Sequence, residues 1–162
     1  MPSSSPLGVD ITLDSDVPRP KEVTEAALTS LATHVLRREG AAGEWHLGIR
    51  FVDDATMRQA HVDFMGIDEP TDIMTFPYED EFGFGPEQGG DLLISAERAA
   101  DNAAHAGWGQ EQELFFLVCH GVLHLLGWND ATDEQRAAML ERQTALMREW
   151  ASSQGQDAPA DR

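Results

Sequence analysis

His120 and His124 stand four residues apart in the stretch CHGVLHLLGWND, Cys119–Asp130, and Asp130 supplies a carboxylate just beyond them. Four residues is just over one helical turn, so on a helix both imidazoles leave the same face. Gly127 offers a stop for that helix, and a chain turning there can fold Asp130 back toward the rings. Two imidazoles and a carboxylate form a three-ligand transition-metal site with a fourth position open to water, which is the pattern of a metal-dependent hydrolase. A lone buried histidine is more simply satisfied by a backbone carbonyl. A second on the same face changes the balance, because one divalent cation satisfies both lone pairs at once.

The full spacing is HxxxHxxGxxD, the ligand spacing of the metzincin proteases. Those enzymes carry Glu directly after the first histidine as the general base, whereas this chain has Gly121, which has no side chain to act. The spacing therefore points toward metal binding and away from a peptidase. Cys119 is the single cysteine, so no internal disulfide forms; beside His120 in a helix it points elsewhere and is expected as a small buried hydrophobe.

The histidines need a framework to hold them. Val9–Leu13 alternates like a short strand, and a helix is expected from about Lys21 to Arg38, with Val23, Ala26, Ala27, Leu31, Val35 and Leu36 on its apolar face. A turn at Gly40–Gly43 leads into a strand over Trp45–Val52, and Asp53 or Asp54 caps a helix to about Phe64. Thr71–Phe76 is extended, Tyr78–Gly89 an acidic, glycine-rich loop, Asp91–Ser95 a strand and Ala96–Ala106 a helix. Gln110–Leu126 is apolar nearly all round from Leu114 onward and belongs in the middle of a domain. Asp133–Trp150 is a last amphipathic helix with Ala137, Leu140, Leu146 and Trp150 facing inward, and Met139 and Met147 as packing residues. The order βαβαββααα predicts an α+β fold: one domain over residues 7–150, a small mixed sheet packed with helices around a central, buried metal-binding helix. Residues 1–6 and 151–162 are expected to be disordered tails.

Composition sets further bounds. The 162 residues suffice for one core, and 41% apolar residues with four Trp and seven Phe can fill it. No apolar run reaches membrane-spanning length and the start lacks a leader pattern, so a cytoplasmic protein with no membrane partner is expected. The 29 acidic against 11 basic residues give a net charge of −18, and Lys21 is the only lysine. Such a chain is repelled by nucleic acid unless its arginines cluster or salt screens the repulsion, and it would suit a high-salt interior.

Three blocks point to a known family. His120-Gly121, Leu123-His124-Leu125 and Gly127 match a signature His-Gly-x-Leu-His-Leu-x-Gly-Tyr-Asp-His; Pro70–Pro77 is similar to Pro-Thr-Asp-Val-Leu-Ser-Phe-Pro; Gly90–Ser95 is similar to Gly-Asp-Ile-x-Ile-Ser. In this order they resemble the YbeY endoribonucleases over most of Val9–Trp150. The resemblance implies one Zn2+ per chain held at the three signature positions, here His120, His124 and Asp130. It implies hydrolysis of single-stranded RNA, action in 16S rRNA maturation and ribosome quality control, and the ribosome or ribosomal proteins as partners.

The catalytic water would then be the one on the metal, and Asp72 and Asp91, which sit in family blocks, are candidates for its base. Thr71 and Arg58 are candidates for contacting RNA. Two departures bear on activity. Asp130 stands where the family has a third histidine, and Met65 stands where it commonly has an arginine. They leave two other readings open: a catalytically weakened, metal-stabilised, ribosome-associated RNA-binding protein, and a metal-dependent hydrolase of another substrate.

Overall fold

The computed structural model describes residues 6–78 and 88–154. Among them the elements follow in the expected order: β1 (Gly8–Ser15), α1 (Glu25–Arg38), β2 (Glu44–Val52), α2 (Asp54–Met65), β3 (Ile73–Pro77), β4 (Gln88–Ser95), α3 (Ala96–Ala106), α4 (Gln110–Leu125) and α5 (Asp133–Ser153). The strands make one mixed sheet ordered β1-β2-β4-β3. β1, β2 and β4 run parallel, and β3 returns antiparallel along β4. This is the expected α+β architecture with a small mixed sheet.

Strand alternation divides the molecule into two unequal cores. Ile11, Trp45, Leu47, Ile49, Phe51, Leu92 and Ile94 face one way, into the main core with α1, α4 and α5. Val52 and Met74 face the other way, into a small cluster with Met57 of α2, against which Phe76 and Leu93 pack. α2 therefore lies on the sheet face opposite α4. α4 touches α1, α3, α5, β3 and β4, and Glu113–Cys119 and Gly121–Leu123 are all buried. An all-round apolar helix is stable only in such a position.

Several element limits differ from the periodicity. α1 starts at Glu25 rather than near Lys21, because the Thr24 hydroxyl accepts the Ala27 N–H at 3.1 Å and caps the helix. Leu28 and Ala32 line its buried face and Ala26 is exposed. β4 begins at Gln88, so Gln88 and Gly89, expected in the acidic loop, pair with Trp45 and His46 instead; residues 79–87 of that loop lie outside the described residues. In α5 the inward residues are Met139, Gln143, Leu146, Met147 and Trp150, while Ala137 and Leu140 are exposed, because Leu140, about 100° round the helix from the buried Met139, lies off the face that meets the core. α5 continues to Ser153 with Ala151 buried; residues 1–5 and 155–162 lie outside the described residues. No helix among the described residues is long and apolar enough to cross a membrane.

Candidate metal centre

α4 delivers both histidines to one edge of the molecule, one turn apart, with side chains 25% and 24% exposed. Their rings meet edge to face at a centroid distance of 4.6 Å. Between them Gly121 points the other way, into the sheet. A Cβ there would lie 2.7 and 3.0 Å from the Leu92 methyls and 3.1 Å from Ile73 Cδ1. The glycine thus does more than leave out a general base: the helix sits so close to β3 and β4 that even a methyl would press on Leu92 and Ile73.

The chain then reverses at Gly127, in a left-handed conformation with φ 102°. Its N–H donates to the His124 carbonyl and that of Trp128 to the Leu123 carbonyl, each at 3.0 Å. This pair of bonds is a Schellman turn, which favours glycine at that position. The turn brings Asp130 back over the histidines, as its spacing predicts. Asp130 Oδ2 lies 3.3 Å from His124 Nε2 and 3.5 Å from His120 Nε2.

Hydrogen bonding decides which ring nitrogens carry protons. His124 Nδ1 is 3.0 Å from the Trp128 carbonyl oxygen, which can only accept, so Nδ1 donates. His120 Nδ1 faces Gln143 Oε1 at 3.0 Å. The Gln143 amide is oriented by its other end, where Nε2 donates to the Phe116 carbonyl at 2.9 Å, so its oxygen accepts from His120 Nδ1. In the neutral form both rings then present a bare Nε2. Burial holds His120 below the usual histidine range and the facing His124 adds to this, while the Gln143 bond and the charges of Asp130 and Asp72 pull upward.

Two bare nitrogens 3.1 Å apart, with a carboxylate oxygen beside them, place three acceptors together with no donor among them. A cation removes that repulsion. The three atoms lie within 4.8 Å of one another, and two imidazoles with one carboxylate suit a divalent transition ion.

The remaining candidates do not all lie at the centre. Asp72 is half-buried at the start of β3, where Asn102 Nδ2 donates to its Oδ2 at 3.1 Å. Its carbonyl accepts the Ser95 N–H at 2.9 Å, and its charge reaches His120. Thr71, half-buried, precedes it. Asp91 is elsewhere: because Leu92 meets α4, strand alternation turns Asp91 to the opposite face. There the Tyr78 hydroxyl donates to it at 2.6 Å, in a groove shared with Arg50, Phe64 and Phe76. The sheet separates it from the histidines, and as a base at this centre Asp91 is set aside. Arg58, on α2, is also on that face, and its Nε donates to Asp68 at 2.7 Å.

Cys119 is fully buried, which pushes its thiol pKa far up. His105 is exposed and bonded to the Asp101 carbonyl of its own helix. His34 and His46 stand 3.2 Å from Glu149 and Asp10 respectively. Two residues behind the centre escaped the sequence reading. Gln143 is one; the signal was a single amide in the apolar stripe Met139-Gln143-Leu146-Met147. Glu39 is the other: it accepts from Trp128 Nε1 at 2.8 Å and from Arg142 Nε at 2.8 Å, tying the turn to α1 and α5. No local pattern marked it.

A family model described as endoribonuclease YbeY matches residues 13–151. Curated proteins named endoribonuclease YbeY are similar over most of this chain. One from Mycolicibacterium gilvum is 33% identical, covering 96% of this chain and 90% of its own. One from Rhodococcus erythropolis is 36% identical over 80% and 76%, and one from Corynebacterium diphtheriae 37% identical over 79% and 70%. A Thermotoga maritima protein solved in solution shares the fold, with TM-score 0.62 and 24% identity, over 90% of this chain and 92% of its own.

Proposed function

This chain belongs to the YbeY endoribonuclease family, and from that premise we propose that it hydrolyses phosphodiester bonds of single-stranded RNA at a zinc centre formed by His120, His124 and Asp130. The observation that carries the metal reading is the convergence of one ligand atom each from His120, His124 and Asp130 within 4.8 Å of one another, while both Nδ1 atoms are engaged elsewhere. When bound, such an ion lowers the pKa of water and polarises a phosphoryl oxygen.

The chain's own residues supply the rest. His120 and His124 offer their Nε2 lone pairs because Gln143 and the Trp128 carbonyl hold the protons on the far nitrogens. Asp130 brings a negative charge where the family has a neutral ring, which leaves the centre less positive and weakens its attraction for phosphate. Asp72 is the candidate to accept a proton, since its carboxylate, bonded to Asn102, is among the charges that act on His120. Thr71, next to it, is the candidate RNA contact. Arg58 remains only as a distant contact, given its position on α2 and its pairing with Asp68. On the same reading the substrate is a ribosomal RNA precursor in the cytoplasm, with the ribosome as partner.

The test is metal content and RNA cleavage measured together. Wild-type protein is expected to take up one zinc per chain, and His124→Ala none. Zinc-loaded wild type should cut single-stranded RNA beyond a His120→Ala control. Equal zinc in His124→Ala would refute the centre, while zinc uptake without cleavage would make the protein a metal-stabilised RNA-binding module.

A further inference from the structure

We propose that Gln143 is a positioning residue of the metal centre, through which α5 selects the tautomer of His120. The proposal rests on reading His120, His124 and Asp130 as metal ligands and goes beyond it, since no resemblance or spacing assigns Gln143 a role. Gln143 is 1% exposed on a face otherwise made of Met139, Leu146, Met147 and Trp150. A buried amide is destabilising unless both its ends are bonded. Here each end meets α4, one turn apart: Nε2 on the Phe116 carbonyl and Oε1 on His120 Nδ1.

The two bonds are not interchangeable. Because the carbonyl can only accept, the amide has one orientation, and that orientation leaves His120 a single neutral tautomer with Nε2 bare. A ring with its proton on Nε2 would turn a donor toward His124 and Asp130 and close the centre to a cation. Outer hydrogen bonds of this kind fix ligand orientation and basicity.

That the group is an amide also fits the ligand set. A carboxylate would accept from Nδ1 as well, but would add a second negative charge behind the histidines. Asp130 already supplies one. A neutral acceptor fixes the ring and leaves a divalent ion with net positive charge toward a phosphate.

The test needs no turnover. In metal-free wild-type protein, long-range nitrogen–proton NMR correlations should assign His120 as protonated on Nδ1; protonation on Nε2 overturns the proposal without any variant being made. Gln143→Met keeps size and burial but offers no comparable acceptor. It should lose about 10- to 100-fold in zinc affinity and shift His120 toward the Nε2-protonated form. Gln143→Glu, buried and neutral, can donate its hydroxyl to the Phe116 carbonyl and offer its carbonyl oxygen to His120; it should return His120 to Nδ1 protonation and recover most of that affinity. If Gln143→Met folds, binds zinc like wild type and keeps the Nδ1 proton, the amide only packs and the proposal fails. If wild type itself takes up no zinc, the reading of the centre fails first, and the two failures are told apart.

Discussion

At the scale of single residues, Gly121 shows how one position can settle both packing and chemistry. The zinc proteases with this ligand spacing need a glutamate there. In this chain the same position is where α4 lies against the sheet, and an added Cβ would press on Leu92 and Ile73. Leu92 is 1% exposed, so its methyls have little room to yield. Gly121→Ala sets overpacking of about 1–3 kcal/mol against a gain of about 1 kcal/mol in helix propensity. The expected result is a net loss on the order of 1 kcal/mol in urea unfolding of the metal-free protein. A double-mutant cycle makes the cause explicit. In a Leu92→Ala background the two shortest contacts are gone and only that with Ile73 remains, so Gly121→Ala should cost little or nothing, a coupling of about 1 kcal/mol. Additive effects would mean that Leu92 is not what holds position 121 to glycine.

At the scale of elements, the turn after α4 does for Asp130 and His124 what the helix does for the histidine pair. Gly127 and Gly107 both end helices in the left-handed region, with φ 102° and 78°, and both have open space where a Cβ would go. Alanine at either should cost about 1–2 kcal/mol of backbone strain. Only the Gly127 turn carries Asp130 and the Trp128 carbonyl. Gly127→Ala should therefore also weaken zinc binding by about tenfold or more, whereas Gly107→Ala should lose stability and keep its affinity. Equal affinities in calorimetric titration would show that the turn closes the helix without shaping the centre. The same comparison explains what could be read from sequence. The histidine pair, Gly127 and Asp130 lie within one helix and one turn, where local spacing determines geometry. The face on which Asp91 lies depends on how α4 docks against β4. The inward face of α5 depends on the rotation at which the helix docks, which turns Met139 and Gln143 inward and Leu140 outward. The order β1-β2-β4-β3 likewise joins strands that no local pattern pairs.

At the scale of the whole molecule, the charge of −18 is the dominant long-range term. Among the described residues, six arginines stand in ion pairs with carboxylates. Arg38 stands against Glu149, Arg50 against Asp16, Arg58 against Asp68, Arg98 against Asp54, Arg136 against Asp133 and Arg142 against Glu39. Most of these pairs are exposed, and such pairs add little stability. The acidic excess left over repels itself in the compact state and relaxes when the chain unfolds. Potassium chloride should relieve this, since the screening length falls from about 30 Å at 0.01 M to about 3 Å at 1 M. Loss of the surface pairs acts in the opposite direction, but exposed pairs contribute only about 0–1 kcal/mol each, and a net stabilisation is expected. Each kcal/mol gained raises the midpoint by roughly 2–4 °C for a domain of this size, so the thermal midpoint of metal-free protein should climb by several degrees across that range. Most of the rise should come by about 0.5 M, where screening is nearly complete. A rise appearing only at multimolar salt would point to surface exclusion of the salt instead. A flat midpoint would mean that the acidic surface neither strains the fold nor suits it to a saline interior.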